Sequence, residues 1–244
     1  MKSQLMKTRS LVKKILPGSW WSFLADVYGI YLYGYAQRSY AQEGEDLLLE
    51  RILGKQGKGF YVDVGAHHPV RFSNTFLFYK RGWRGINIEP NPRLAELLKR
   101  YRPNDINLEL GISERSGELS YWMFDEPALN SFDRELSAKR DQETEYSLIG
   151  TRKVKVARLD SVLEEHLLPD IAIDFMSIDT EGHDLSVLRS NDWERFRPKW
   201  LLVESIAQES PGNMQSEQHH FLQQHSYDLY AKTLNTYIYK DNRG

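Results

Sequence analysis

The chain of 244 residues is 41% hydrophobic and 27% charged, with a formal net charge of −2 at pH 7, a globular composition with enough apolar surface for one core. So balanced a charge offers no basic field for nucleic acid, and the absence of cysteine removes disulfides, zinc–thiolate sites and thiol nucleophiles. No run of about 18 apolar residues occurs, which excludes a membrane-spanning helix.

Residues 1–40 read as a basic, aromatic arm and residues 41–244 as the main domain. Leu5, Leu11, Val12, Ile15 and Leu16 share one face of a short helix opposite Lys2, Lys7, Arg9, Lys13 and Lys14, and Pro17-Gly18 ends it. Trp20, Trp21, Phe23, Tyr28, Tyr31, Tyr33 and Tyr35 follow. Lys13-Lys14 breaks the apolar core that a signal peptide needs, so a cytoplasmic location is expected. Peripheral contact with the inner face of a membrane through residues 1–35 suits such an arm. Packing over the core or in a homodimer is the alternative.

From residue 40 the pattern becomes regular. Leu47, Leu48, Leu49, Ile52 and Leu53 have helical spacing. Phe60–Val64 is a short apolar strand, and Ser73-Asn74-Thr75 supplies N-caps for a helix that Gly82 stops. Arg84–Ile88 is a second strand. Pro92 starts the next helix, and Asp105–Ile112 is a third strand. Glu118–Phe124 alternates as a half-exposed strand, residues 125–150 read as a loop and polar helix on the surface, and Val154–Ala157 is a small strand. Leu159-Asp160-Ser161 caps a helix to about His166. Apolar Ile171–Ile178 leads into Asp179-Thr180-Glu181-Gly182-His183-Asp184, then a helix from Leu185 and a strand, Trp200–Val203, that ends at Glu204. His219, His220 and His225 fall in a polar helix and read as surface residues. Tyr227–Lys232 and Thr236–Lys240 form an edge hairpin. Strands alternating with helices imply a mostly parallel α/β sheet covered on both faces.

Ligands of open α/β sheets bind outside the carboxyl ends of the strands. Four apolar runs here stop at an acid: Asp63, Glu89, Asp179 and Glu204. An acid at a buried strand end costs desolvation unless it has a partner, so these four outline a site. Gly65 lets the backbone approach a ligand, and Glu89, 24 residues on, can accept bonds from both ribose hydroxyls. The turn Ala66-His67-His68-Pro69 does not enter its helix at once, so the pyrophosphate cradle of a dinucleotide site is absent. A ligand with a ribose and no pyrophosphate, such as S-adenosylmethionine, fits better. Asp63 would then orient its amino group, directly or through water. Adjacent residues on an extended turn point opposite ways, so at most one of His67 and His68 faces the ligand.

Phe60–His67, Ser73–Thr75, Arg81–Gly85, Ile88–Asn91 and Ser177–Asp184, in this order, resemble the FkbM-type methyltransferases, from about Gln42 to Tyr237. The resemblance implies a Rossmann-like class I methyltransferase with a seven-stranded sheet, using S-adenosylmethionine to O-methylate sugars or polyketide hydroxyls. It implies cofactor contacts at Gln42, Asp63, Gly65, His67, Asn74, Glu89 and Ser113, with Gly111-Ile112-Ser113 bordering the adenine.

A sugar hydroxyl becomes a good nucleophile only as its proton is removed. Asp179 and His183 are the candidate bases, with Glu181 orienting the acceptor. A divalent metal on Asp179, Glu181 and His183 is the alternative. Tyr40, Trp83, Tyr121 and Trp122 offer rings for the sugar of a glycan, or of its lipid- or nucleotide-linked precursor, to stack on, with core packing an equal explanation. A polyketide or small-metabolite acceptor, and a silent binding module of the same fold, stand as rivals.

Overall fold

The structure, a computed structural model, describes residues 18–31, 37–54, 56–204 and 217–243. The chain divides into two units, Met1–Arg38 and Ser39–Gly244. In the first, helix α1 spans Gly18–Tyr31. The helix expected over Leu5–Leu16 lies outside the described residues, as do Tyr33 and Tyr35. The sequence ends a helix at Pro17-Gly18, whereas the structure begins one at Gly18. Trp20, Phe23, Leu24, Val27 and Ile30 recur every three or four residues, which is the helical period.

In the second unit the strands of the main sheet are β1 (Phe60–Val64), β2 (Arg84–Ile88), β3 (Ile106–Leu108), β7 (Phe175–Ile178), β8 (Trp200–Glu204), β9 (Tyr227–Lys232) and β10 (Thr236–Asp241). Their order is β3-β2-β1-β7-β8-β10-β9. The first five run parallel, and β10 pairs antiparallel with both β8 and β9. The expected α/β class, seven-stranded sheet and edge hairpin are therefore the observed ones.

Strand alternation splits the core into two layers. Val62, Val64, Ile86, Ile88, Met176 and Ile178 face one side, packed on α6 (Leu159–His166), α7 (Asp184–Arg189) and α8 (Glu217–Gln224). Tyr61, Phe175, Leu202 and Ile238 face the other, under α2 (Glu45–Leu53) and α3 (Phe76–Lys80). Trp83 belongs to this second layer, packed on Phe78 and Phe175, and is buried rather than offered to a sugar. His219 is likewise interior: its Nδ1 lies 3.1 Å from the Tyr239 hydroxyl.

The expected third strand is two strands. After β3 the chain leaves the main sheet, and β4 (Gly111–Ile112) joins a second sheet, β4-β6-β5, with β5 (Gly117–Phe124) and β6 (Leu148–Ala157). Gly111 makes this possible, since a Cβ there would sit 2.5 Å from the Phe132 ring. Between β5 and β6 the chain forms a short 3-10 turn, Pro127–Leu129, and helix α5, Arg134–Glu143. Asp160 does not cap α6; its carboxylate takes a forked bond from Arg158.

Helix α4 (Pro92–Tyr101) starts with Asn91 Oδ1 accepting from Arg93 N at 3.0 Å. Just past its end, Arg102 is fully buried. Its guanidinium donates to Asp105 at 2.9 Å, Thr75 Oγ1 at 2.9 Å and the Tyr61 hydroxyl at 2.6 Å. Thr75 in turn donates to Asp63 at 2.6 Å. One cation thus ties α4, the start of α3 and β1 beneath the strand ends. Removing one partner of a buried charge network leaves the others desolvated and uncompensated. Arg102→Met is expected to lower unfolding free energy by about 3–5 kcal/mol, measured by urea denaturation. A loss below about 1 kcal/mol would contradict this role, being the worth of an exposed pair.

Candidate active site

The chain leaves β1 toward β2 on one side, and β7 pairs on the other, so a crevice opens at the carboxyl ends where the connections diverge. Gly65 turns the chain there at φ +81°, and a Cβ on it would lie 1.7 Å from the Asp179 carbonyl oxygen. Gly65 N and Ala66 N both donate to Ile88 O, at 2.9 and 3.1 Å, folding the turn across the end of β2. Helix α3 begins only at Phe76, so the glycine turn does not run straight into a helix as it does in a dinucleotide cradle.

The resulting cleft opens at these strand ends, lined by residues of both neighbouring connections. Glu89 is one wall. It is buried, with Oε2 accepting from His67 N at 2.8 Å and Oε1 from Asn91 N at 2.7 Å. A carboxylate has about four acceptor sites, and the two left over suit a ribose diol. Burial pushes its pKa up to about 7, against these two backbone donors, with Asp63 adding to the rise. The hydrophobic Ile88, Leu110, Gly111 and Ile112 also line the cleft beside it, as an adenine requires. These residues fit S-adenosylmethionine.

The opposite wall is acidic. Carboxylate oxygens of Asp179, Glu181 and Glu204 lie within 4.8 Å of one another. Burial and the neighbouring carboxylates hold Asp179 and Glu204 well above the ordinary range, with Glu181 the first of those neighbours for Asp179 and Asp179 the first for Glu204. Like charges this close do not all ionise, so the Asp179–Glu204 pair retains a proton above the usual carboxylate pH. Glu181 is also raised by burial, opposed by its ion pair with Arg140 of α5. Glu181 takes φ +53°, and its carbonyl accepts from Ser131 Oγ at 2.6 Å. Tyr121, Phe132 and exposed Phe72 give the cleft aromatic faces.

Among the residues expected from sequence, Gln42, Gly65, His67, Glu89, Asp179 and Glu181 line this cleft, whereas Asp63, Asn74, Ser113 and His183 do not. Asp63 is buried beneath it on Thr75, its charge reaching Glu89 and Asp179. Asn74 donates to Ser177 Oγ of β7 at 3.0 Å. Ser113 pairs with Ala157 O through its backbone N. His183 packs its ring on Phe132 and lies 3.3 Å from Ser113 Oγ. The left-handed turn at Glu181 and Gly182 (φ +95°) carries the chain away before His183 is reached. The metal set with His183 is thus not the one brought together; Glu204 takes its place.

The histidine pair divides cleanly. His68 Nδ1 accepts from Val70 N at 3.1 Å and Arg71 N at 3.0 Å, closing the turn. His67, at φ +49°, lines the cleft with its buried Nε2 unpartnered, and burial lowers its pKa to about 4. Its imidazole is therefore neutral at pH 7. The segment from 125 to 150, which reads as surface, supplies Pro127, Ala128, Asn130 and Phe132 to the lining and Arg140 to Glu181. Glu204, marked in the sequence as an acid that ends an apolar strand but given no role there, joins the acidic wall.

This sheet order, with an acidic cleft at the switch point, defines a Rossmann-like fold. The methyltransferase FkbM domain model matches residues 63–229, about two thirds of the chain, and the chain belongs to that family. It is a methyltransferase. Similar solved structures include a TehB-like SAM-dependent methyltransferase from Corynebacterium glutamicum, with 9% identity, TM-score 0.42 and coverage of 91% of this chain and 97% of that one. Monomeric WbdD has 12% identity and TM-score 0.45; the match covers 88% of this chain and 44% of WbdD. No curated protein matches.

Glu89 makes a pH signature. Its folded pKa, about 7, exceeds its ordinary value of 4.5. A raised acid stabilises the fold fully below the unfolded pKa and loses that contribution as pH rises through the folded one. The ligand-free protein is therefore expected to lose stability between about pH 4.5 and 7, with a flatter slope in Glu89→Gln, measured by thermal denaturation. Equal slopes would contradict the assignment. Binding of a ribose diol needs the ionised form, so donor affinity is expected to rise with pH over the upper part of this window.

Proposed function

We propose that the protein transfers a methyl group from S-adenosylmethionine to a hydroxyl of a sugar, in a glycan or in its lipid- or nucleotide-linked precursor. The observation that carries this reading is the Asp179–Glu204 carboxyl pair, raised above the carboxylate range, in a cleft also walled by aromatic rings. Aromatic faces beside carboxylates suit a ring bearing hydroxyls.

When bound, the donor supplies a methyl group activated on its sulfonium. The chain's part is to hold the acceptor in line and take its proton. Asp179, backed by Glu204, is the base this geometry favours over His183. Glu181, fixed by Arg140 and Ser131, orients the acceptor. A base must be deprotonated to act, and the pair's raised pKa places the acid limb of kcat above the ordinary carboxylate range of about 4.

Asp179→Asn is expected to lower kcat by about 10²–10⁴ with donor affinity nearly unchanged, whereas His183→Ala changes kcat less than about tenfold. The reverse ranking would make His183 the base. A divalent cation on Asp179, Glu181 and Glu204 is a second reading, supported by their mutual distance. Full activity after exhaustive chelation excludes it.

The acceptor is tested with isotopically labelled methyl donor against nucleotide sugars, glycolipids and polyketide-type alcohols. New O-methyl signals on a sugar carbon are the expected result. Label confined to non-sugar alcohols overturns the sugar reading, and donor binding without any transfer supports a silent module.

A further inference from the structure

Helix α1 presents an apolar face to solvent. Taking about 100° per residue, Trp20, Phe23, Leu24, Val27 and Ile30 fall within one arc of about 120°. Trp20 and Phe23 are 61% and 62% exposed, and Leu24 and Ile30 are 41% and 45% exposed. Gly18, Ser22, Ala25 and Gly29 lie on the other side. A lone exposed leucine needs no explanation, but two large aromatic and two aliphatic side chains on one helix face do. None of them belongs to the cleft. The helix is 14 residues long, and among the described residues no helix is long and apolar enough to cross a membrane.

The charge along the sequence is one-sided. Residues 1–25 contain Lys2, Lys7, Arg9, Lys13 and Lys14 and no acid. Taking that +5 from the net −2 leaves −7 on the other 219 residues. A bilayer carrying anionic lipid attracts the basic segment and repels the acidic remainder, which orients the chain arm-first. Lysine and arginine add attraction at an anionic surface within about a Debye length, while tryptophan and phenylalanine seat at the headgroup boundary. A second copy of the chain fits less well, because pairing two α1 faces brings two +5 segments together.

We infer that α1 and the basic segment before it form a peripheral anchor for an anionic membrane surface, with Trp20, Phe23, Leu24 and Ile30 entering the interface. The inference is independent of the acceptor, since none of these residues takes part in methyl transfer.

The test is co-sedimentation of the full chain with phosphatidylcholine vesicles, with and without phosphatidylglycerol. The expected result is binding to anionic vesicles only, weakening steeply with salt. Trp20→Ser/Phe23→Ser and Lys13→Gln/Lys14→Gln are each expected to lower the partition coefficient about tenfold or more, with S-adenosylmethionine binding unchanged as proof of folding. Equal binding to neutral vesicles, wild-type binding by both double variants, or no sedimentation would overturn the inference. So would an oligomer dissociated by Trp20→Ser/Phe23→Ser in the absence of vesicle binding.

Discussion

The site rests on one close approach. Gly65 and Asp179, just past the ends of neighbouring parallel strands, pass so closely that no side chain fits between them: a Cβ at Gly65 would lie 1.7 Å from the Asp179 carbonyl oxygen. Asp179 N also donates to Val64 O at 3.0 Å, locking the two strand ends together. The turn can then fold only toward β2, where Ile88 O takes two of its amides and Glu89 takes the next. Glu89 on one side and Asp179 on the other are thereby fixed across a single cleft. A side chain at position 65 would part β1 from β7 and separate the donor wall from the acidic wall.

Fixing those walls crowds the cleft with carboxyl groups. Glu89, Asp179, Glu181 and Glu204 line or border it, and Asp63 and Asp184 lie close behind. The fold does not treat them alike. Asp184 is satisfied by Thr180 N, Thr180 Oγ1 and Gly182 N, and Asp63 is held by Thr75 near Arg102. These two shape the turn and the floor. Glu181 has Arg140, reached from the second sheet's connection, so that connection is held to the main sheet at the site itself. Asp179 and Glu204 have no such cation; burial and the surrounding carboxylates raise both, although the hydrogen bond between them draws Asp179 back down. A pair left in that state costs stability, and such costs concentrate where chemistry is done.

Much of this was legible in the sequence because apolar runs that stop at an acid mark strand ends. Glu89, Asp179 and Glu204 stand at strand ends as expected, as do the parallel strands and the edge hairpin, whereas Asp63 is buried on Thr75 and does not line the cleft. What failed has definite causes. Asp105–Ile112 reads as one strand because its apolar residues alternate without a break, but Gly111 slips beneath Phe132 and the chain passes to another sheet. Nearness in sequence favoured His183 as Asp179's partner, yet the positive φ values at Glu181 and Gly182 turn the chain away. Glu204, 25 residues from Asp179, comes close because Ile178 and Val203 pair across parallel strands. Residues 125–150 look like a surface loop because most of them are polar. Only Asn130, Phe132 and Arg140 and a few neighbours turn inward, and no periodicity announces so sparse a set.

The central claim is that Glu89 and the cleft beside it hold the donor's adenosyl moiety. Isothermal titration of the wild-type chain and Glu89→Ala with S-adenosylmethionine and S-adenosylhomocysteine tests it most directly. The account expects one molecule of either compound per chain. Affinity should fall by tenfold to several hundredfold in Glu89→Ala, the loss of one or two hydrogen bonds to a charged group at about 1.5–3 kcal/mol each. No binding by the folded wild-type chain, or equal affinity in the variant, would contradict it.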